Sequence, residues 1–262
     1  MAAPLSASKF LAALKAEGVK VVEVDDWEDH NRNHMGPWGP VHGVMIHHTV
    51  TRGTDATVRI CRDGYTQLPG PLCHGVITKD GTVHVVGYGR TNHAGLGDDD
   101  VLRAVIAEKT LPAPNEANTD GNRHFYGFEC ENLGDGQDPW PAAQVEAIVR
   151  ASAALVRAHG WGKDGNTSVI GHREWQPGKV DPRGPGITMP DVRARVAERL
   201  KHPASWSPGG TASYTVAKGD TLWSIAASKL GDGNRWREIA DLNSLKNPDD
   251  ITPGQTLKLP KK

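Results

Sequence analysis

The 262-residue chain sets 30 Lys and Arg against 31 Asp and Glu, a net charge of −1. So even a balance argues against a protein held to nucleic acid by surplus basic charge, and no apolar run approaches the ~20 residues of a membrane-spanning helix. With 23% charged and 37% hydrophobic residues, 30 Gly and 18 Pro, the composition predicts a soluble, loop-rich globular chain of one or two domains.

Met1 to Phe10 lacks the basic start and continuous apolar stretch of a secretory signal, which predicts folding in the cytoplasm. Lys9 to Glu17 carries Phe10, Leu11 and Leu14 on one side of a short helix that stops at Gly18. Val19 to Val24 reads as a strand or extended arm, and Asp25 to Pro40 as loop. Val41 to Val50 is apolar and β-branched, a strand. Its alternation sends Ile46 and His48 to one face and Met45 and His47 to the other, so only one of the paired histidines is well placed as a ligand. Thr54 to Arg62 is a short helix capped by Thr54 or Asp55. Leu72 to Ile77 and Val83 to Tyr88, joined across Asp80-Gly81, form a β-hairpin.

Asp98 to Thr110 is a helix, Leu111 to Arg123 a polar loop, and Phe125 to Glu131 a strand. Pro141 to His159 is a helix with Val145, Ile148, Val149, Ser152, Leu155 and Val156 at helical spacing, closed by Gly160. Ser168 to Ile170 is a short strand, and Thr188-Met189-Pro190-Asp191 starts a helix to about Leu200. Strands alternating with helices predict an α/β domain, residues 1–201, with a mixed central sheet flanked by helices. Residues 202–213 read as a flexible linker. Residues 214–260 then form a small β-α-α-β unit whose core is Trp223, Ile225, Trp236, Ile239, Leu242, Leu257 and Leu259. Cys61, Cys73 and Cys130 are odd in number with no C-x-x-C spacing. They are expected as reduced, mostly buried thiols, with a Cys61–Cys73 bridge as the alternative.

The chemistry gathers on Gly171 to Pro182, a Pro- and Gly-bent loop that carries His172 and Asp181 with Lys179 two residues before the aspartate. Two N/O ligands from one loop and a third from elsewhere suit a zinc site that keeps an open position. His47, His172 and Asp181 meet that need if strand and loop meet in space. A bound water needs a base, for which Glu129 is the candidate, and the developing oxyanion needs a cation, for which Lys179 is the candidate. Against this, Lys179 suits a surface position equally, and one of Glu129 and Glu131 suits a solvent-facing one. His30, His34, His42, His84, His124, His159 and His202 are read as structural or surface residues.

Several segments occur together in one order: Val44-Met45-Ile46-His47-His48-Thr49, His74 to Val83, His93-Ala94-Gly95, Tyr126 to Asn132, and the 171–182 loop. Over roughly residues 41–200 the chain resembles the type-2 N-acetylmuramoyl-L-alanine amidases, the superfamily that includes peptidoglycan recognition proteins and phage lysins. The resemblance implies a zinc-dependent α/β fold that cleaves the amide between N-acetylmuramic acid and L-alanine. It implies His47, His172 and Asp181 as Zn2+ ligands, Glu129 as the catalytic acid/base and Lys179 as the active-site lysine. It places His93 beside the substrate groove and His74 in the sheet near the site. Some members carry a catalytic Tyr where this chain has Cys73, which favours Glu129 as the base. Residues 1–40 match no motif of the family.

Tyr214 to Pro260 resembles a lysin motif (LysM), carried by Tyr214-Thr215-Val216, Lys218 to Ala226, Leu242-Asn243 and Ile251 to Leu257. That resemblance implies glycan binding between two loops through Gly219, Asp220, Thr221, Leu222, Ile251 and Pro253; Trp223 is read as core. Both modules point to bacterial peptidoglycan as the partner of a monomer without nucleic-acid binding or membrane insertion. The expected setting is a phage endolysin held in the host cytoplasm until a holin opens the membrane. The alternatives are a bacterial autolysin with the same chemistry, a recognition protein that binds without cutting, and a peptidase acting within the stem peptide.

Overall fold

The computed structural model describes residues 2–162, 168–206, 212–245 and 247–260. The chain divides into two compact units, Met1–Ser205 and Trp206–Lys262. In the first, the main elements are α1 (Ala7–Ala16), β1 (Lys20–Glu23), β2 (Gly43–His48), α2 (Thr54–Asp63), β3 (Gly75–Ile77), β4 (Thr82–Val85), α3 (Asp99–Ile106), β5 (Phe125–Cys130), α4 (Ala142–His159), β6 (Val169–Gly171) and α5 (Met189–Leu200). The second contains β7 (Ala212–Thr215), α6 (Leu222–Leu230), α7 (Trp236–Leu242) and β8 (Thr256–Leu259). Among the described residues, no helix is long and apolar enough to cross a membrane.

One six-stranded sheet, ordered β1-β4-β3-β5-β2-β6, organises the first unit. Only the β3–β4 hairpin pairs antiparallel; the other four pairings are parallel, so the α/β sheet is mixed. The hairpin forms across Asp80-Gly81 because Gly81 takes φ +83, which a side chain would resist. The Asp80 carboxylate meanwhile accepts from Thr78 and Thr82.

Strand alternation separates two cores. Val44, Ile46, Tyr126 and Phe128 face a cluster built with α1, α4 and α5. Met45, Phe125 and Ile170 face the other side, packed with Val101 and Val105 of α3 and with Trp175. The helical spacing along α4 is realised: Val145, Ile148, Val149, Ser152, Leu155 and Val156 are all buried, and Gly160 ends the helix in the left-handed region. Each of the large apolar side chains here stabilises by roughly 1.5–3 kcal/mol. Gln144 pins the start of α4 to the sheet, its amide donating to the carbonyls of Ile77 and Glu131.

The first forty residues, which matched no motif, complete this core. Phe10 and Leu14 of α1 are fully buried, and Phe10 stacks on Tyr126 and Phe128. Ala2 bridges Val41 at the N-terminal end of β2. A buried ion pair joins the two ends of the unit: Arg199 of α5 donates to Glu17 Oε2 at 2.9 and 3.2 Å, and Arg157 donates to Glu17 Oε1 at 2.6 Å. Such a pair contributes less through net attraction than through the cost of leaving one partner alone, about 3–5 kcal/mol.

Two local expectations are corrected. The N-cap of α2 is Gly53 rather than Thr54 or Asp55. Glu131 holds this end of the helix, accepting from the Gly53 N–H (2.9 Å) and from the Thr54 hydroxyl (3.1 Å). In the second unit Trp223 is 57% exposed and Leu242 38% exposed, so neither is core; the Trp223 indole lies over Gly233 at the surface. Val216, Leu222, Ile225, Ile239, Leu257 and Leu259 form that core, with Trp236 packed against it from the edge. The linker expected over 202–213 falls partly outside the described residues, at 207–211; β7 already starts at Ala212. All three cysteines are buried and free.

Candidate metal centre and its cleft

Three neighbouring parallel strands end at the same edge of the sheet and deliver the site. β2 lies between β5 and β6, with His47 opposite Glu129 in register and Gly171 opposite Ile46. His47 falls on the Met45 side of β2, as alternation predicts. β6 runs directly into a turn at His172–Glu174.

The loop that follows folds back on its own strand. Arg173 N–H donates to the Asp181 carbonyl at 2.8 Å, and a Cβ on Gly171 would lie 2.8 Å from the ring of Pro182. Only glycine allows that approach. Glu174 and Trp175 anchor the loop. Glu174 accepts from Gly171 N–H (2.9 Å) and takes a two-point contact from Arg193 (2.8 and 2.9 Å). Trp175 is fully buried, donates to the Ala94 carbonyl at 3.1 Å, and packs flat against Gly97 and Gly121. Neither residue stands out by sequence alone; the signal available is a Trp and an acid inside a Gly- and Pro-bent loop.

His47 Nδ1, His172 Nδ1 and Asp181 Oδ2 form a small triangle. The edges are 3.0 Å between the imidazoles, 3.1 Å from His172 to Asp181 and 3.3 Å from His47 to Asp181. All three residues are buried. Zinc–ligand bonds of 2.0–2.2 Å in a tetrahedron separate ligand atoms by about 3.3–3.6 Å, so the triangle, with edges of 3.0, 3.1 and 3.3 Å, is slightly tight but close to that size. Its chemistry fits as well. Burial, then the neighbouring His172, push His47 down to about 4, which keeps it neutral with a lone pair to give. Burial would raise Asp181, but its contacts with His172 and His47 hold it well below the usual carboxylate range. A proton shared among these atoms, or a cation in its place, is what lets three electron-rich atoms sit this close.

Glu129 stands beside the triangle, Oε1 4.0 Å from His47 Nδ1, and its Oε2 is buried with no hydrogen-bond partner. Burial, then the charge of Asp181, push its carboxyl up to about 8, with Lys179 opposing. Lys179 is exposed on the wall of an open cleft of about 500 Å³ that His48, His93, Glu129, His172 and Asp181 also line. Val50, Leu68 and Val180 give this cleft an exposed apolar rim.

His93 lines the cleft too, and its ring also stands directly behind His47, Nδ1 2.9 Å from His47 Nε2. His74 is fully buried in the sheet, Nε2 donating to the Gly89 carbonyl and Nδ1 accepting from Gly127 N–H. His30 and His124 bond backbone carbonyls away from the cleft, in line with the structural reading given them.

In the second unit, the loops after β7 and before β8 leave the same end of the antiparallel pair, where Thr215 faces Thr256. Gly219 (φ +91) and Pro253 are exposed there. Asp220 shapes its loop by accepting from Tyr214 OH and Ala217 N–H, both at 2.7 Å, and Thr221 caps α6. Ile251 packs partly on the core, and Leu222 is buried in it, which withdraws its side chain from any surface groove.

A mixed α/β sheet whose parallel strand ends gather two imidazoles, a carboxylate and a half-buried glutamate at one cleft defines a domain with a site that could hold a metal ion. The chain belongs to the N-acetylmuramoyl-L-alanine amidase family, which residues 37–184 match, and residues 214–260 match the LysM domain. It is similar to N-acetylmuramoyl-L-alanine amidase XlyB of Bacillus subtilis strain 168, 28% identical over 177 residues, 64% of this chain and 53% of the relative. The potassium binding protein Kbp of Escherichia coli O6:H1 is 45% identical over 49 residues, 18% of this chain and 33% of that protein. The chain thus spans about half the length of XlyB and a third of Kbp. Among solved structures it is similar to N-acetylmuramoyl-L-alanine amidase LysC from Clostridium intestinale URNW, with a TM-score of 0.45 and 18% identity, covering 68% of this chain and 97% of that one.

Proposed function

We propose that the first unit is a zinc-dependent amidase that hydrolyses the bond between N-acetylmuramic acid and L-alanine in peptidoglycan. The observation that carries this reading is the complete His47–His172–Asp181 triangle with Glu129 beside it in one open cleft. Zinc held there supplies a water acidified to a pKa near ~7 and polarises the scissile carbonyl. Glu129 takes the proton of the attacking water and delivers it to the departing amide nitrogen, so the C–N bond breaks to leave a lactyl carboxylate and a free L-alanine amine. Lys179, across the cleft, faces the oxygen that gains negative charge. The same chemistry serves a phage endolysin released through a holin lesion and a bacterial autolysin. A recognition protein that binds without cutting has no need of a cleft carboxyl whose Oε2 is buried with no hydrogen-bond partner, as in Glu129, which favours the enzyme.

Purified cell wall digested by the zinc-loaded protein should release intact stem peptides with a new N-terminal L-alanine, read by mass spectrometry. A new amine at any other residue would make it a peptidase, and no release would leave a binding protein.

The LysM unit is proposed as a glycan tether that acts through the Gly219–Thr221 and Ile251–Pro253 loops, and the whole chain as a monomer that does not insert into membrane. A single weak site still concentrates an enzyme on an insoluble polymer. Deleting residues 206–262 should lower retention on cell wall by about tenfold or more while sparing cleavage of small soluble muropeptides. Equal retention by the shortened protein would remove the tether role.

A further inference from the structure

The contact between His93 and His47 settles which nitrogen of His47 carries its proton. The Phe125 carbonyl, 3.1 Å from His93 Nε2, only accepts, so His93 Nε2 bears the proton and Nδ1 the lone pair. That lone pair faces His47 Nε2 at 2.9 Å, with the rings edge to face at 88°. His47 Nε2 therefore donates, and His47 Nδ1, the atom in the triangle, carries the lone pair and faces His172 Nδ1 at 3.0 Å.

The surroundings are shaped to hold His93 in that place. Asn122 Oδ1 accepts from the backbone N–H of His93 and of Ala94, both at 2.8 Å. On β5, a Cβ at Gly127 would lie 2.4 Å from His93 Nδ1, so glycine is what lets the ring reach His47 across the strand. His93 itself is 7% exposed.

We propose that His93 is a positioning residue that locks His47 in its Nε2–H tautomer and so presents Nδ1 to the metal. The inference rests on the zinc reading above. It goes beyond a groove position for His93, since the ring would act through His47 as well as on the cleft surface. Orienting partners of this kind are worth about 10–100-fold in metal affinity.

The test compares zinc affinity, by competition with a chromophoric chelator, in the native chain, His93→Phe and His93→Gln. Phenylalanine fills the space without a lone pair, whereas glutamine offers Oε1 to His47 and N–H to Phe125. The Phe variant should lose about 10–100-fold in affinity at an unchanged metal-free melting temperature, and the Gln variant should recover most of it. A Phe variant that binds zinc as the native chain does would overturn the role of His93 alone; a native chain that binds no zinc would overturn the metal reading and this inference with it. The long-range 1H–15N spectrum of native zinc-loaded protein needs no variant. It should show His47 and His93 protonated at Nε2, and His93 protonated at Nδ1 would overturn the proposal.

Discussion

Glu129→Gln is expected to lower kcat by about 10²–10⁴-fold, the range for loss of a positioned acid/base, with zinc affinity within about tenfold of native. Glutamine keeps the shape but neither takes nor returns a proton. Full activity in this variant would remove Glu129 from the mechanism. The same residue makes a second, opposite demand on the fold. In the metal-free protein burial and Asp181 push its carboxyl from 4.5 up to about 8. Between those values the folded state holds a proton that the unfolded chain has lost, so metal-free stability falls as pH rises through that window. Metal-free Glu129→Gln should therefore exceed the metal-free native chain by about 1–3 kcal/mol at pH 8 and match it at pH 4, as read from denaturant melts. A positive charge placed in the triangle lowers the Glu129 pKa towards the working range of a base.

Asp181→Ala should be at least as damaging, on the order of 10³-fold or more in activity, because the open site needs all three protein ligands. It removes the only ionised ligand, and with it the charge that neutralises half of a divalent cation. The check is metal content after dialysis, together with melting temperature with and without zinc. If zinc is held by the folded state, it should raise the melting temperature of the native chain by mass action; the variant should show no zinc-dependent rise. A variant that retains stoichiometric zinc would mean that the ion is held elsewhere.

What could be read from the chain depended on how local each signal was. The spacing of Val145, Ile148, Val149, Ser152, Leu155 and Val156 defines α4 by itself, and Asp80-Gly81 defines a hairpin turn. The metal triangle was readable in part: His172 and Asp181 share one bent loop, whereas alternation only puts His47 and His48 on opposite faces, and the choice of His47 came from the family resemblance. The part of His93 was not readable in full: its ring reaches behind His47 only because Gly127, on a strand 34 residues later, has no side chain. The capping of α2 by Glu131 is equally non-local, since propensity directs attention to Thr54 and Asp55. Trp223 was assigned to the core on hydrophobicity, but Gly233 lets the indole lie over backbone at the surface. Residues 1–40 carry no motif because their task is to fill space, which many sequences do equally well.

The bridge between Ala2 and Val41 has a practical meaning. Val41 leads into β2 from the end opposite His47, and the strand Gly43–His48 spans about 20 Å between them. Ala2 thus lies at the end of the sheet far from the cleft. Cargo joined ahead of Ala2, whether a fluorescent label or a second wall-binding module, would attach about 20 Å from His47, at the opposite end of β2.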